Sequence, residues 1–408
     1  MLESADIFNP STQRSETYIM STLSGNWNYP TAIRFGAGRI AELADTCKEL
    51  GMTRPLLVTD RGLAPLDIVT DAVASCEAAG VPCAVYSDVD GNPTGENVEG
   101  GVEIFKSGNH DGVIAFGGGS ALDAGKAIAF MANQSRPLWD FEDVGDNWLR
   151  ANLDGLCPVI AVPTTSGTGS EVGRASVITD AASHVKKIIF HPRMLPEIAL
   201  SDPALTVGLP AHITAAVGMD ALSHCLEAFF APFYHPMARG IAVEGSRLVM
   251  EWLPAAVDDG TNIEARSHMM VASQAGATAF QRGLGGMHAL AHSLGAVYNA
   301  HHGLLNAVLM PYVLKANESV IADDAAYLAN ALGLGDNLDA LIHWILELRK
   351  EVGIPHTLAG MDLNDAEKER IGAMAVEDPS AGGNPIQFTA EQYTEIFRCA
   401  VHGEWPEV

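Results

Sequence analysis

Basic residues are scarce in this chain: 24 Lys and Arg stand against 50 Asp and Glu over 408 residues, a formal net charge of −26. Such a surface repels phosphate backbones and anionic lipid, so neither nucleic acid nor a membrane is an expected partner. Cysteine is thin as well. The six, at positions 47, 76, 83, 157, 225 and 399, form no CxxC pair and no dense framework, which fits a reduced, cytoplasmic protein. The opening "MLESADIFNPSTQRSET" lacks the basic-then-apolar order of a secretory leader and reads as an N-terminal arm over 1–25. No internal repeat or low-complexity tract is visible. What remains is 48% hydrophobic and 18% charged, enough for large cores and too apolar for disorder, in a length that suggests two domains.

The first half alternates short apolar runs with amphipathic ones. "RPLLVTD", "VPCAVYSDV", "DGVIAFGGG" and "CPVIAVPTT" read as strands, with helices over 66–80, 94–108 and 120–134 between them. Strands this short and this apolar, alternating with helices, predict a parallel sheet covered on both faces. "ASVITD" and "KKIIFHP" read as a small extra hairpin. After about residue 208 only helical spacing remains, and Leu209-Pro210 marks the expected boundary between an α/β domain over 1–207 and an all-α domain over 208–408.

Several strand ends carry loops built for close approach. Gly117, Gly118, Gly119 and Ser120 lie between a strand and a helix, where free N–H groups and the positive helix end suit a phosphate. The usual GxGxxG fingerprint is absent, and a glycine run alone is as readily a tight turn. "PTTSGTGSE" (163–171) and "GNPT" (91–94) repeat the pattern at other strand ends, however, and together they read as a nucleotide site. Asp60 ends the first of these strands, placed to bind a ribose hydroxyl. An acid there repels a 2′-phosphate, so NAD is expected ahead of NADP.

The helical half contains a second anomaly. "GMDALSHCLEAFF" (218–230) is apolar or small almost throughout, yet Asp220 and His224 lie four residues apart on one helix face. From Gly283 to Leu314 there is no Asp, Glu, Lys or Arg, but there are four histidines. Those histidines and several glycines argue against a spanning helix and for two helices buried in a soluble fold. Any one of these polar groups alone would be an ordinary buried hydrogen-bonding residue. Asp220, His224 and His288 with His302 or, on spacing alone, His292 form a nitrogen-rich donor set suited to Fe(II) or Zn(II) and not to Mg or Ca.

Taken in order, "GGGSALDAGKA", "PTTSGTGSEVGRASVITD", "SDPALTVGLP", "GMDALSHCLEAF" and "GGMHALAHSLGA" resemble the iron-containing (group III) alcohol dehydrogenase family. The resemblance runs from about residue 29 to 313. It implies a Rossmann-like dinucleotide-binding α/β domain followed by a helical metal-binding domain, the architecture shared with dehydroquinate synthase. It also implies a metal-dependent, NAD(P)-linked alcohol dehydrogenase that interconverts an alcohol with its aldehyde or ketone. Carried over position by position, it makes Asp220, His224, His288 and His302 the metal ligands, and puts the catalytic His292 beside nicotinamide and substrate. Asp60, Asn92, Gly118, Gly119, Ser120, Thr164, Thr165 and Lys186 fall on positions lining the cofactor site. Gly173 stands where many members have Thr, and Ala175 where some have Asn.

Two rivals keep the same architecture: a dehydroquinate synthase-like lyase assisted by NAD and metal, and a non-catalytic binding protein. The lyase acts on a phosphorylated substrate and would need basic residues around the cleft, and the helical segments with "HALAH" and "HHG" offer none nearby. Small primary alcohols, diols, lactaldehyde-like and hydroxyacid substrates all stay open, with an anionic one expected less because no Arg or Lys is clearly aimed at the metal. A homodimer or larger homo-oligomer is expected.

Overall fold

The computed structural model describes residues 31–183 and 185–407; the arm expected over 1–25 lies outside the described residues. The first part of the chain lays down strands β1 (Ala32–Phe35), β2 (Leu56–Val58), β3 (Ala84–Tyr86), β4 (Val113–Gly117), β5 (Val159–Pro163), β6 (Ala175–Asp180), β7 (Val185–Phe190) and β8 (Ile198–Ser201). Helices α1 (Leu43–Glu49), α2 (Asp67–Ala78), α3 (Gly95–Ser107) and α4 (Gly119–Met131) fall between them. Six strands form one sheet in the order β1-β8-β5-β4-β2-β3, every neighbouring pair parallel.

The apolar runs explain why this sheet is covered on both faces. Along β2 and β4 the pleat sends alternate residues to opposite sides. Leu56, Val58, Val113 and Ala115 enter one core with residues of α3 and α4, while Leu57, Ile114 and Phe116 enter the other with residues of α1 and α2. The chain runs outward from β2 to β3 and then returns to place β4 on the other side of β2. That reversal opens a crevice at the strand C-termini, the position where open α/β sheets bind ligands. The expected hairpin is present as an antiparallel pair, β6 with β7, apart from the main sheet and with Ala175 opposite Phe190. β1 and β8 were not legible as strands. β8 is only four residues long, and neighbours on both sides rather than its own period make it a strand.

Beyond β8 the described residues contain helices and turns only: α5 (Ala211–Phe230), α6 (Pro236–Asp258), α7 (Ile263–Ala279), α8 (Gly286–Tyr298), α9 (His302–Ala316), α10 (Glu318–Ala331), α11 (Leu338–Glu351), α12 (Lys368–Glu377) and α13 (Ala390–His402). The charge-free stretch is thus two helices, α8 and α9, and no described helix is long and apolar enough to cross a membrane. α5 is buried without a break from Gly218 to Phe230. A Cβ on Gly303 would stand 2.6 Å from the Ala216 carbonyl and 3.1 Å from the Asp220 Cβ. Glycine there lets the first turn of α9 lie directly on α5, which sets His302 beside Asp220.

Candidate active site

The glycine loop lies at the crevice between β2 and β4. Gly117 takes φ +147°, and a Cβ on Gly119 would come within 2.5 Å of the Thr168 methyl. Bare backbone is therefore required on this face, and α4 begins here with no side-chain cap on its N-terminal amides. Those amides could hold a phosphate. Asp60 Oδ1 accepts from the amides of Gly62 (2.8 Å) and Leu63 (2.9 Å), an arrangement that fixes the carboxylate beside Gly117. Ser120 donates to the Gly91 carbonyl at 2.5 Å, and the Thr164 amide donates to Gly117 at 3.0 Å. Thr165 packs against Gly118. Asn92 reaches across to the helical half, its Nδ2 donating to Asn299 Oδ1 at 2.7 Å. Lys186 sits apart from this group, on β7, with its ammonium next to Gly295 of α8. Burial pushes its pKa down, against the pull of Asp123, Asp220 and Asp378.

On the other side of the cleft, Asp220, His224 and His288 bring one donor atom each within 4.8 Å of one another, all buried. His302 joins from α9, its Nε2 3.7 Å from Asp220 Oδ1. His301, which precedes it in the chain, instead caps α9 by accepting from the Leu304 amide at 3.3 Å. Asn306, one turn along α9, marks where the donors point. Its Nδ2 lies 2.8 Å from Asp220 Oδ1, 3.2 Å from His288 Nε2 and 3.1 Å from His302 Nε2. Three acceptor lone pairs from three helices converge on one small volume. The Nδ1 atoms of His224 and His302 are buried with no hydrogen-bond partner. One carboxylate oxygen and three imidazoles, desolvated together, fit a borderline divalent cation better than any protein group present.

Electrostatics point the same way. Burial pushes the His224 imidazole down to about 4 and His302 well below the ordinary range, so both are neutral and able to donate a lone pair. His288 behaves differently. Burial alone would lower it, but the Glu227 carboxylate raises it by charge and by a 2.6 Å bond to Nδ1. Glu227 also accepts from the amides of Gly285 (2.7 Å) and Met287 (2.6 Å), so it pins the start of α8 to α5. With Nδ1 committed to Glu227, His288 presents Nε2 inward. Asp378 does the same for His292, binding its Nδ1 at 2.9 Å; burial opposes this carboxylate's charge, and the imidazole holds its pKa below the ordinary range. His292 stacks on His302 with ring centroids 5.2 Å apart.

Sequence reasoning missed Glu227, Asp378 and Asn306. Glu227 follows Asp220 at helical spacing on an equally apolar helix, a signal that could have found it. Asp378 lies 86 residues from its partner, and no spacing rule connects them.

The sequence matches the family model "Iron-containing alcohol dehydrogenase" over residues 30–203, and the model for the C-terminal domain of the Fe-containing alcohol dehydrogenase family over 214–401. It is 38% identical to 4-hydroxybutyrate dehydrogenase of Cupriavidus necator over 90% of this chain and 97% of that one. It is 36% identical to 1,3-propanediol dehydrogenase of Citrobacter freundii over 91% and 97%. Among solved structures, a 1,3-propanediol oxidoreductase superposes with a TM-score of 0.87 at 34% identity, over 92% of this chain and 99% of that one. These likenesses do not favour the lyase alternative.

Proposed function

We propose, from the premise that this chain belongs to the iron-containing alcohol dehydrogenase family and is thereby an NAD-dependent alcohol oxidoreductase, that it oxidises the terminal hydroxyl of a short aliphatic substrate in the cleft between the sheet and the helices. Asp220, His224, His288 and His302 would hold the metal, Fe(II) ahead of Zn(II). The single observation that carries this reading is the convergence of Asp220 Oδ1, His288 Nε2 and His302 Nε2 on one point, marked by Asn306 Nδ2.

A divalent metal bound there lowers the pKa of an alcohol's hydroxyl. The chain's own residues do the rest. Gly118, Gly119 and the amides of α4 seat the pyrophosphate, and Asp60 takes a ribose hydroxyl, which favours NAD over NADP. Asn92, Ser120, Thr164 and Thr165 line the same crevice, and Lys186 closes it toward the helices. His292 keeps a free Nε2 because Asp378 holds Nδ1, so it can carry the hydroxyl proton toward solvent as hydride passes from the carbinol carbon to nicotinamide. Two relatives, named for 4-hydroxybutyrate and 1,3-propanediol, act on short chains with a polar group at each end. That supports a terminal alcohol of similar length.

The test is NAD reduction by anaerobically prepared, iron-supplied protein over a panel of short alcohols, diols and hydroxy acids. Turnover of at least one of them, lost on chelation, is expected. No turnover of any member, with metal demonstrably bound, would overturn the reading.

The division of the chain at 207/208 belongs to the same proposal; it lies between the last strand and α5. Six unpaired cysteines, five of them buried, support a reducing, cytoplasmic setting. A homodimer or larger homo-oligomer is also proposed. In its support, β1 is the outermost strand of the sheet among the described residues, with Phe35 exposed, and an open edge invites a second strand.

A further inference from the structure

Beside the metal cluster lies a cavity of about 300 Å³ between the β6–β7 hairpin and the end of α7. Its walls are largely apolar: Val172, Ile188, Phe190, Leu195, Ala277 and Leu284. Two further lining residues tie it to the chemistry. Phe280 stands with its ring 5.2 Å from the His224 ring, and Ser380 donates its amide to Asp378, the residue that holds His292. Through Phe280 and Ser380 the cavity thus lies next to the metal cluster.

Into this apolar space the hairpin brings one cation, Arg174. Its guanidinium carbon lies 5.6 Å over the Phe190 ring, which faces the same cavity. Among the described residues it has no hydrogen-bond acceptor and no carboxylate within ion-pair distance. Burial works against its charge, and only Asp143, a cavity neighbour at longer range, supports it. The other cations nearby are already occupied. Lys126 is bound to Ser170 and Asp123, Lys186 lies among three carboxylates, and Arg282 is bound to the Phe233 and Ala228 carbonyls. A guanidinium cannot shed its proton, and its planar fork matches a carboxylate.

We propose that Arg174 anchors the anionic end of the substrate, which makes this enzyme an ω-hydroxycarboxylate dehydrogenase whose aliphatic chain crosses the apolar cavity to the metal. The inference rests on the dehydrogenase reading above. The reaction balances as such: the carbinol C–H bond breaks and its hydride reduces NAD⁺ to NADH. The hydroxyl proton leaves by way of His292, and the product is the ω-oxocarboxylate. An anionic substrate was expected less because no Arg or Lys of the helical half is aimed at the metal, whereas Arg174 arrives from the other half, just before β6.

The test compares 4-hydroxybutanoate, 1,4-butanediol and 4-amino-1-butanol as substrates of wild type, Arg174→Gln, Arg174→Lys and Asp143→Asn. Calorimetric titration with butyrate runs alongside. In Arg174→Gln, kcat/KM for 4-hydroxybutanoate should fall by roughly 10- to 100-fold, while that for the diol changes less than about threefold. Arg174→Lys should recover part of the loss, and Asp143→Asn should improve use of the hydroxy acid. Butyrate should bind wild type and fail to bind Arg174→Gln. Equal losses on diol and hydroxy acid, or preference for the amino alcohol abolished by Asp143→Asn, would overturn the proposal and leave the dehydrogenase reading standing. If wild type oxidises none of the three or any other alcohol, the dehydrogenase reading itself falls.

Discussion

The two walls of the cleft are built on opposite principles. On the sheet side the proposed cofactor wall is mostly backbone: the glycine loop and the uncapped amides of α4 are shaped by what is missing from their side chains. On the helical side, side chains form the proposed site, and carboxylates and an amide set the direction of its donors. Glu227 holds His288, Asp378 holds His292, and Asn306 faces three donor atoms at once. The sheet side should therefore fail when atoms are added, and the helical side when a partner is removed or neutralised. Loss of shape is graded, whereas an unpartnered buried charge is not.

The largest of these effects is expected at Glu227. Glu227→Gln leaves one acceptor oxygen for two amides and an imidazole, so metal affinity should fall by roughly 10- to 100-fold, measured by competition with a chelator. Unchanged affinity would show that α8 is placed without it. Asp378→Asn should lower kcat by about tenfold and shift the acid limb of the pH–rate profile with metal content unaltered, because the amide can no longer fix His292 in one tautomer. Loss of metal in that variant would make Asp378 part of the metal wall instead. Gly119→Ala forces a methyl to 2.5 Å from the Thr168 methyl, and KM for NAD should rise several-fold with kcat little changed. Equal effects on metal binding would erase the distinction between the walls. The smallest effect concerns pH. Unfolded, His224 takes up a proton near pH 6.5; folded, it refuses one down to about 4. The unfolded state thus binds more protons across that window, and metal-free protein should lose stability as pH falls through it. Melting temperatures of His224→Asn should depend less on pH there than those of wild type.

This contrast also governs what could be read from the sequence. Parallel strands announce themselves by apolar runs of the right length, so β2 to β5 and the hairpin were legible. β8, four residues wedged between β5 and β1, was not, because only its neighbours make it a strand. The polar residues of α5, α8 and α9 stood out against apolar helices, and their closeness follows from helix crossings that Gly303 permits. Spacing could not choose between His292 and His302 as the fourth donor, since His292 follows His288 by one turn on α8. What sets His292 apart is Asp378 on its Nδ1, and Asp378 comes from a loop that carries no periodic signal. Arg174 was unreadable for the same reason: it lies in the sheet half and acts on a cavity bounded by the helices.

The central claim is that the buried donors of α5, α8 and α9 exist to hold one metal ion on which oxidation of an alcohol depends. Elemental analysis of anaerobically purified wild type beside His288→Ala, each assayed for NAD reduction, tests it most directly. The account predicts one iron or zinc per wild-type chain, and its loss together with activity in a variant that still melts cooperatively. A wild-type chain that binds neither metal when both are supplied, or a His288→Ala chain that keeps both metal and activity, would contradict it.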